Sequence, residues 1–580
     1  MEALLPSPAS FSQPKIAHIL HRHSTSHHVI PRCVKIETHR RPPYRPIPNM
    51  TNIITSIRPS SWQSLISSFC NAVDDFIDAK LEAPLGPDVD PKRVLAGNFA
   101  PVDEIPPTEC NELEGQIPPC LKGGLYIRNG PNPQFPPSSG YNLLDGDGMI
   151  HALAFHKDGS RITLSSRYVR THKHLEEEFA GRPIFPNVFS GFRGYAGMAR
   201  VALTALRVAL GLIDPGKGVG VANTNLLLFN NKLFALGESG LPHELHVTPD
   251  GDIQTSGAFD FGGKLMTRMT AHPKIDPRTG ELFAYRYSIL YPFLHLFRVT
   301  ADGVKQPDVS ISSMGKASII HDFAITSRYA VFPDIQIVLD PAHIFKGANG
   351  TAVYFDRSKV SRIGVIPRYA TNGSAIRWFD VPGLNFLHTL NAWDEDGDEI
   401  VLIAVNFSPA QNFMEKVSAM HFTVENIRIN LNSGIVVRKP VSCRSLEFGV
   451  INQRFVGKKN RYAYMCMAAA CAPVPQMGGV VKLDFDAPDG VVACTTFGEG
   501  CFCGEPFFVP RSNDPCSEED DGYIVVLTHN DNTQISKFVV MDAQSHTLEI
   551  VASVKLPQRV PFGFHGLFLS AKDLAATQRD

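Results

Sequence analysis

The chain has 580 residues, of which 43% are hydrophobic, and a formal net charge of −2 at pH 7. This length exceeds one ordinary domain but fits a closed multi-blade β-architecture, and the near-neutral charge excludes a protein built to bind nucleic acid. No apolar stretch reaches the roughly 18 residues of a membrane span before proline or arginine interrupts it. The 11 cysteines, an odd number without zinc-finger or secreted-scaffold spacing, indicate a reducing compartment.

The N-terminal segment has the composition of an organelle-targeting sequence. It is basic, poor in acidic residues and rich in serine, proline and histidine, without a long apolar core. This composition predicts a transit peptide over residues 1–50, with a disordered basic tail as the alternative. Residues 51–95 follow as a predicted amphipathic helix and linker, in which Trp62, Leu65 and Phe69 recur at helical spacing.

From about residue 120 to the C-terminus, β-rich runs alternate with turn signals. The segment "TNLLLFNNKLFALGE" has two such runs about an Asn-Asn turn, and "ELHVTPDGDIQTSG" has two about an Asp-Gly turn. Long helical patterns hardly interrupt the series, which argues against βαβ units and a parallel sheet. The pattern predicts an all-β fold, and its size favours a β-propeller over a single barrel or sandwich. Because no blade signature repeats, the sequence pattern does not give the number of blades.

One segment, residues 188–213, departs from the β pattern. It reads "VFSGFRGYAGMARVALTALRVALGLI", and its three arginines, Arg193, Arg200 and Arg207, fall near one face of a helix. Aliphatic side chains cover most of the remaining surface. This distribution predicts a membrane-contact helix with its cations at the lipid headgroups and its apolar side in lipid. The alternative is a helix that caps one end of the sheet assembly.

Four histidines lie in apolar, strand-like surroundings. His272 occurs in "MTAHPKID", His321 in "SIIHDFAI", His388 in "NFLHTLNAW" and His565 in "FGFHGLF". A buried neutral imidazole needs partners for both ring nitrogens, and a divalent metal ion can occupy one of them. Each histidine taken singly is more simply a hydrogen-bonded core residue. In a propeller, however, the innermost strands converge on the axis, where residues remote in sequence can meet.

Seven segments, in their order along the chain, resemble the carotenoid cleavage dioxygenases of plants. They are "GQIPPCLKGGLYIRNGPNP", "LDGDGMIHAL", "TAHPKID", "HDFAIT", "NAWDED", "GEPFFVP" and "PFGFHGLF". The resemblance extends from about residue 60 to the C-terminus and is closest to the plastid class four. It implies a seven-bladed β-propeller over residues 96–580, with helices and loops capping one face and an iron ion on the axis.

The resemblance also implies the metal ligands and the residues that support them. Three glutamates are expected to hold the ligand imidazoles: Glu238 in "ALGESGLP", Glu447 in "RSLEFGVIN" and Glu505 in "GEPFFVP". A carboxylate in that position fixes the imidazole tautomer and makes the ligand more electron-rich. Near Glu238 the chain departs from the family pattern, because "GLPHEL" has His243 where relatives often have an aromatic residue. The implied ligands of Fe(2+) are His272, His321, His388 and His565.

The function implied by the resemblance is the cleavage of one double bond of a carotenoid or apocarotenoid by O2, giving two carbonyl products. The bond would be the 9,10/9′,10′ or the 7,8/7′,8′ bond. The resemblance also implies a plastid location, a plastid transit peptide over residues 1–50, and contact of residues 188–213 with a membrane or plastoglobule. A metal-dependent carotenoid or retinoid isomerase and a non-catalytic carotenoid-binding propeller remain as alternatives.

Overall fold

The computed structural model describes residues 61–86, 88–159, 161–187, 189–414, 416–469 and 476–578. The predicted transit peptide, residues 1–50, lies outside these ranges, so that prediction stays a prediction. The nine cysteines in the described part of the chain are all free thiols.

Five α-helices occur within the described residues. They are α1 Ser61–Lys80, α2 Pro91–Val94, α3 His172–Ala180, α4 Gly194–Ala209 and α5 Ala571–Thr577. Local signals set their ends: the Asp90 side chain caps the start of α2, and Gly181, in a left-handed conformation, ends α3. Short 3-10 helices cover Gly97–Phe99, Pro119–Leu121, Pro215–Lys217, Pro341–Asn349, Gly373–Ala375, Ala410–Asn412, Val417–Ala419 and Gln453–Phe455.

Strands make up most of the regular structure, and 33 of them lie in the described residues. The first nine are β1 Ile105–Glu109, β2 Glu112–Gly115, β3 Leu125–Pro131, β4 Gly148–Phe155, β5 Ile162–Tyr168, β6 Asn225–Phe229, β7 Lys232–Leu236, β8 His243–Val247 and β9 Ile253–Ala258. Next come β10 Lys274–Ile275, β11 Leu282–Tyr287, β12 Leu294–Val299, β13 Val309–Ile311, β14 Ala324–Ile325, β15 Tyr329–Asp334, β16 Ile337–Leu339, β17 Val353–Phe355, β18 Arg362–Pro367 and β19 Arg377–Asp380. The remainder are β20 Phe386–Glu395, β21 Glu399–Ser408, β22 His421–Asn430, β23 Val436–Pro440, β24 Leu446–Val450, β25 Tyr462–Ala468, β26 Met477–Asp484, β27 Val491–Thr496, β28 Cys501–Cys503, β29 Phe507–Pro510, β30 Gly522–Asn530, β31 Ile535–Asp542, β32 Ile550–Lys555 and β33 Gly566–Leu569.

Consecutive strands pair antiparallel and form small meanders. Four sheets have four strands each, in the orders β6-β7-β8-β9, β10-β11-β12-β13, β14-β15-β18-β19 and β20-β21-β22-β23. Strands β24 to β32, together with β2, form a ten-stranded sheet, and β16 pairs with β17 alone. The up-and-down pattern confirms the all-β class predicted from the alternating strand and turn signals.

The C-terminal strand completes the sheet that begins near the N-terminus. β33 pairs with β3, so this sheet has the order β1-β5-β4-β3-β33. The pairing aligns Arg128 with Gly566, and the Asn129 N–H donates to the carbonyl of His565 at 3.0 Å. His565 is therefore held against a sheet formed from residues more than 400 positions earlier in the chain.

Neighbouring sheets pack face to face through their apolar side chains. Leu125 and Ile127 of β3 share one core cluster with Leu233 of β7. On the other side of the same sheet, Phe155 packs on Phe538 of β31 with ring centroids 5.5 Å apart. Each meander thus buries both faces, which accounts for its nearly continuous apolar runs.

Helices α1 and α4 pack against each other and correct one prediction about residues 188–213. Arg200 is buried and pairs with Asp78 at 2.7 Å and with Glu82, while Arg207 is buried and pairs with Asp74. The prediction that these cations face lipid headgroups is wrong, because the acidic side of α1 neutralises them. The apolar contact between the two helices is made by Cys70, Ile77, Ala196 and Leu203.

Replacing Arg200 by methionine is expected to lower the free energy of unfolding by about 3 kcal/mol, because Asp78 and Glu82 lose their buried partner. The change can be measured by urea denaturation followed by circular dichroism. Arg182→Met is the matched control, since its pair with Asp75 is largely exposed and should contribute less than about 1 kcal/mol. Equal stability of the two variants would show that the buried pair does not hold α1 in place.

Candidate metal centre

The four predicted histidines meet at one place. One ring nitrogen from each of His272, His321, His388 and His565 lies within 4.8 Å of those of the other three. The Nε2 atoms of His272 and His321 are 3.0 Å apart, and those of His321 and His388 are 3.2 Å apart. No second group of three or more histidine, cysteine or carboxylate side chains with this spacing occurs in the described parts of the chain.

Each histidine lies at or near the first strand of a sheet or the closing strand. His272 comes two residues before β10, His321 three residues before β14, and His565 directly before β33. His388 is in β20, where the pairing with β21 is irregular between Phe386 and Thr389. A bulge of this kind frees a side chain from the regular alternation and allows it to point along the sheet edge.

Three of the imidazoles contact a carboxylate through Nδ1. Nδ1 of His388 is 2.9 Å from each oxygen of Glu447, and Nδ1 of His565 is 2.8 Å from Oε1 of Glu505. In the third contact, Nδ1 of His321 lies 2.5 Å from Oε1 of Glu238, but the pair is not aligned as a hydrogen bond. These contacts leave Nε2 of each ring available to a metal ion.

The fourth imidazole, His272, has no carboxylate partner among the described residues. Its backbone N–H donates to the hydroxyl of Thr270 at 3.0 Å, which fixes the segment just before β10. The seven residues singled out in the sequence thus lie close together, with one glutamate beside each of three of the four histidines. His243, the departure from the family pattern, is buried in β8 and does not line the cavity next to Glu238.

Burial controls the protonation of the cluster. It lowers the pKa of His272 well below the usual value, with a further contribution from the other imidazoles, and it lowers the pKa of His565 despite the nearby Glu505 carboxylate. Burial alone would also lower the pKa of His388, but the Glu447 carboxylate outweighs it and raises that pKa. Burial alone would raise the pKa of Glu447, whereas His388 lowers it. The lowered pKa values keep a lone pair free on His272 and His565, and the carboxylates beside the cluster add negative charge, which together suit a divalent cation.

The donor set selects a class of metal. Four imidazole nitrogens suit iron, cobalt, nickel, copper or zinc, whereas magnesium and calcium prefer oxygen ligands. Four protein ligands leave open positions on an ion that takes six. The residues present therefore fit a transition-metal ion, iron among them, with room for small molecules beside it.

Phe448, next to Glu447, adopts a left-handed backbone conformation with φ of 51°. Such a conformation costs about 1–3 kcal/mol for a residue other than glycine, so the surroundings must favour it strongly. Its ring lies 5.8 Å from the ring of His388, and its N–H contacts a carboxylate oxygen of Glu447. The strained turn thus aims both the carboxylate and an aromatic ring at His388.

Sequence reasoning missed one supporting residue, Arg128 of β3. Its side chain is buried and donates to the carbonyl of Gly563 at 2.6 Å and to that of Glu505 at 3.4 Å. A Cβ at Gly504 would overlap the guanidinium, so glycine is needed there. Arg128 lies in the quoted segment "YIRNGPNP", but nothing in that segment relates it to residues at the other end of the chain.

An apolar cavity of about 390 Å³ extends from the histidines towards helix α4. At its inner end lie His321, His388 and Glu447, and at its outer end lies the exposed Val208 of α4. Phenylalanine side chains make up much of its wall, among them Phe185, Phe189, Phe192, Phe413 and Phe564. A cavity of this kind can hold an elongated apolar molecule with one of its bonds beside the four imidazoles.

Comparison with known proteins gives one family. The family model described as Retinal pigment epithelial membrane protein matches residues 99–570. A chloroplastic 9-cis-epoxycarotenoid dioxygenase of Oryza sativa subsp. japonica is 51% identical over 520 residues, which cover 88% of this chain and 81% of that protein. A probable carotenoid cleavage dioxygenase 4, chloroplastic, of Arabidopsis thaliana is 50% identical over 530 residues, covering 89% and 87%. The cobalt-substituted apocarotenoid oxygenase of Synechocystis superposes with a TM-score of 0.68 at 28% identity, covering 83% and 99%.

Replacing Glu447 by glutamine should weaken binding of a divalent transition metal by about 10- to 100-fold, because His388 loses a charged partner while the side-chain size is kept. Calorimetric titration of the metal-free protein with Co(2+) measures the affinity. Glu549→Gln, at an exposed position remote in sequence, serves as the control and should leave the affinity unchanged. An unaltered affinity in the Glu447 variant would contradict its role in orienting His388.

Proposed function

We propose, from the premise that this chain belongs to the retinal pigment epithelial membrane protein family, that its four histidines hold Fe(2+) and that it cleaves carotenoids or apocarotenoids with O2. Its enzyme class is that of a carotenoid cleavage dioxygenase. The observation that carries the proposal is the convergence of four imidazoles at the inner end of a long apolar cavity. Neither feature alone would suggest this reaction.

Each part of the site has a role in the proposed reaction. Bound iron supplies the centre at which O2 reacts beside an alkene. His272, His321, His388 and His565 hold the ion as neutral ligands and leave its positive charge undiminished, while Glu238, Glu447 and Glu505 fix three of the rings. The apolar walls bind the polyene, whose burial contributes about 25 cal/mol per Å² of surface removed from water. Both oxygen atoms end in the two carbonyl products, so the overall reaction releases and consumes no proton.

The proposed scaffold is a seven-bladed β-propeller, with the metal site on its axis. Seven apolar clusters support this architecture, because each joins the faces of two neighbouring meanders. One of them joins strands β30–β32 to β3–β5, so the series of meanders returns to its start. In this architecture the ten-stranded sheet counts as two blades, connected through β28.

The proposed location is the plastid, with residues 1–50 acting as a transit peptide and the enzyme in peripheral contact with a membrane or plastoglobule. No helix in the described residues has the length and apolarity needed to cross a membrane. An apolar surface formed by α1 and α4 supports the contact, and Val208 on this surface also lines the cavity. A carotenoid could then pass from lipid to the site without crossing water. The exposed residues of this surface are Trp62, Leu65, Phe69, Phe76, Leu206, Val208 and Leu210.

Introducing aspartate at both Leu65 and Phe69 should weaken binding to neutral phospholipid vesicles by at least about tenfold, because each loses about 1.5–3 kcal/mol of apolar burial. Vesicle flotation measures the bound fraction. The matched control is Val437→Asp, an exposed apolar position on the edge strand β23, which should bind like the wild type. Equal loss in the control variant would indicate a non-specific effect of added negative charge.

The proposed cleavage positions are the 9,10/9′,10′ or the 7,8/7′,8′ bonds. Incubation with β-carotene, zeaxanthin and a C30 apocarotenal under ¹⁸O₂, followed by mass spectrometry, identifies the substrate and the bond from the carbonyl fragments. Each fragment should carry one oxygen atom from the gas, provided that carbonyl exchange with water is corrected for. Isomerised substrate without incorporated oxygen would favour an isomerase instead.

His388→Ala is expected to abolish cleavage while leaving the circular dichroism spectrum unchanged, because it removes a ligand and the partner of Glu447 without disturbing an apolar cluster. The measurement is the decrease in carotenoid absorbance at about 450 nm, followed over minutes to hours. His421→Ala, at an exposed position on β22, is the control and should retain full activity. A fully active His388 variant would remove this residue from the site.

A further inference from the structure

We propose that the metal ion reaches the four histidines through a second cavity, on the side of the cluster opposite the apolar cavity. The inference rests on the proposed metal site and adds a route for loading it. This second cavity has a volume of about 460 Å³ and is lined by His272, His388 and His565. The same histidines therefore separate two spaces, because His388 and His565 border both of them.

The order of residues along the chain defines the two sides. Residues just before the histidines, such as Ile319, Leu387 and Phe564, line the apolar cavity. Residues just after them, such as Lys274 and Thr389, line the second cavity instead. At His321, His388 and His565 the chain passes from the apolar cavity to the second cavity, whereas His272 and the residues after it line the second cavity alone.

Strands from several sheets line the second cavity. Residues of β6, β10, β14, β20, β24, β29 and β33 contribute to it. Exposed Pro277 and Gln453 also line it, so the cavity reaches the protein surface at that end. It thus connects solvent with the histidines without passing the phenylalanines of the apolar cavity.

The walls of the two cavities differ in polarity, and polarity decides how readily a hydrated ion enters. Asp322 in the second cavity is buried, pairs with Lys274 at 2.7 Å and accepts hydrogen bonds from the N–H and hydroxyl of Thr389, each 2.9 Å long. Glu505 and Asn225 add further oxygen atoms. Such groups can replace water around a divalent cation, whereas an apolar wall removes water and gives nothing in return.

Lys274 is the residue best placed to control this route. It is half-buried in the cavity wall, two positions after His272, and its ammonium group neutralises the Asp322 carboxylate that a passing cation would otherwise contact. Its side chain also occupies space in the channel. The charge and the volume of the side chain at position 274 can therefore be changed independently, and the effect of each on the passage of an ion can be measured.

The experiment measures how fast metal-free protein takes up Co(2+), with EDTA quenching, desalting and mass spectrometric counting of bound cobalt. Lys274→Met removes the charge and leaves the channel open, and Lys274→Trp removes the same charge and fills the channel. Lys264→Met removes an exposed lysine that lines neither cavity. Val208→Trp narrows the outer end of the apolar cavity.

Uptake by Lys274→Met should be about 3- to 10-fold faster than uptake by wild type at low ionic strength, because the Asp322 carboxylate, no longer neutralised by the ammonium group, attracts the cation. Uptake by Lys274→Trp should be at least about tenfold slower than by Lys274→Met, because the ion must wait for the filled channel to open. The Lys264 and Val208 variants should match the wild type. The Val208 variant should at the same time show a raised KM for carotenoid.

Equal uptake rates of the methionine and tryptophan variants would overturn the proposed route, since both lack the same charge. Slow uptake by Val208→Trp alone would assign metal entry to the apolar cavity. Failure of the wild type to bind Co(2+) at all would instead overturn the proposed metal site. If Lys274→Trp does not fold, Gln453→Trp at the exposed end of the channel makes the same comparison against Gln453→Met.

Discussion

The structure depends on one constraint: four imidazoles from four distant parts of the chain must be held a few ångströms apart with their Nε2 atoms facing one another. Neutral rings in such proximity gain little from mutual contact, so other groups must hold them. Carboxylates hydrogen-bonded to two rings, the irregular edge of β20 and the pairing of β33 with β3 provide that support. Metal binding would then stabilise an arrangement that folding has already prepared.

Placing the cluster between two different spaces follows from the same geometry. Strands that begin at the histidines continue on one side only, where polar groups such as Asp322 and Thr389 face the second cavity. The segments that arrive at the histidines bring apolar side chains, such as Leu387 and Phe564, to the other side. The same set of strands can therefore present an apolar side to an apolar substrate and a polar side to water and ions.

Much of the fold and the composition of the site could be predicted from the sequence, because both are expressed locally. Alternating strands and Asp-Gly or Asn-Asn turns indicate antiparallel meanders without any long-range information. A histidine in the apolar segment "GLNFLHTLNAW" must have partners for its ring nitrogens elsewhere in the chain. The resemblance of seven segments to one family indicated that four such histidines belong to one metal site. Bringing His272 and His565 together, however, depends on how successive sheets pack, which no local pattern encodes.

The errors and omissions concern side chains whose partners lie far away in the chain. Arg200 and Arg207 look like interfacial cations until the acidic side of α1, more than 100 residues earlier, is seen to pair with them. Arg128 and Lys274 carry no distinguishing signal in their own segments, and their roles follow only from the carbonyl, carboxylate or cavity that each one meets.

The central claim, that a single iron ion lies among four imidazoles, is tested most directly by X-ray absorption at the iron edge of protein produced with iron. The account predicts one iron per chain with four imidazole nitrogens in its first coordination sphere, and a sphere with two or fewer imidazoles would contradict it.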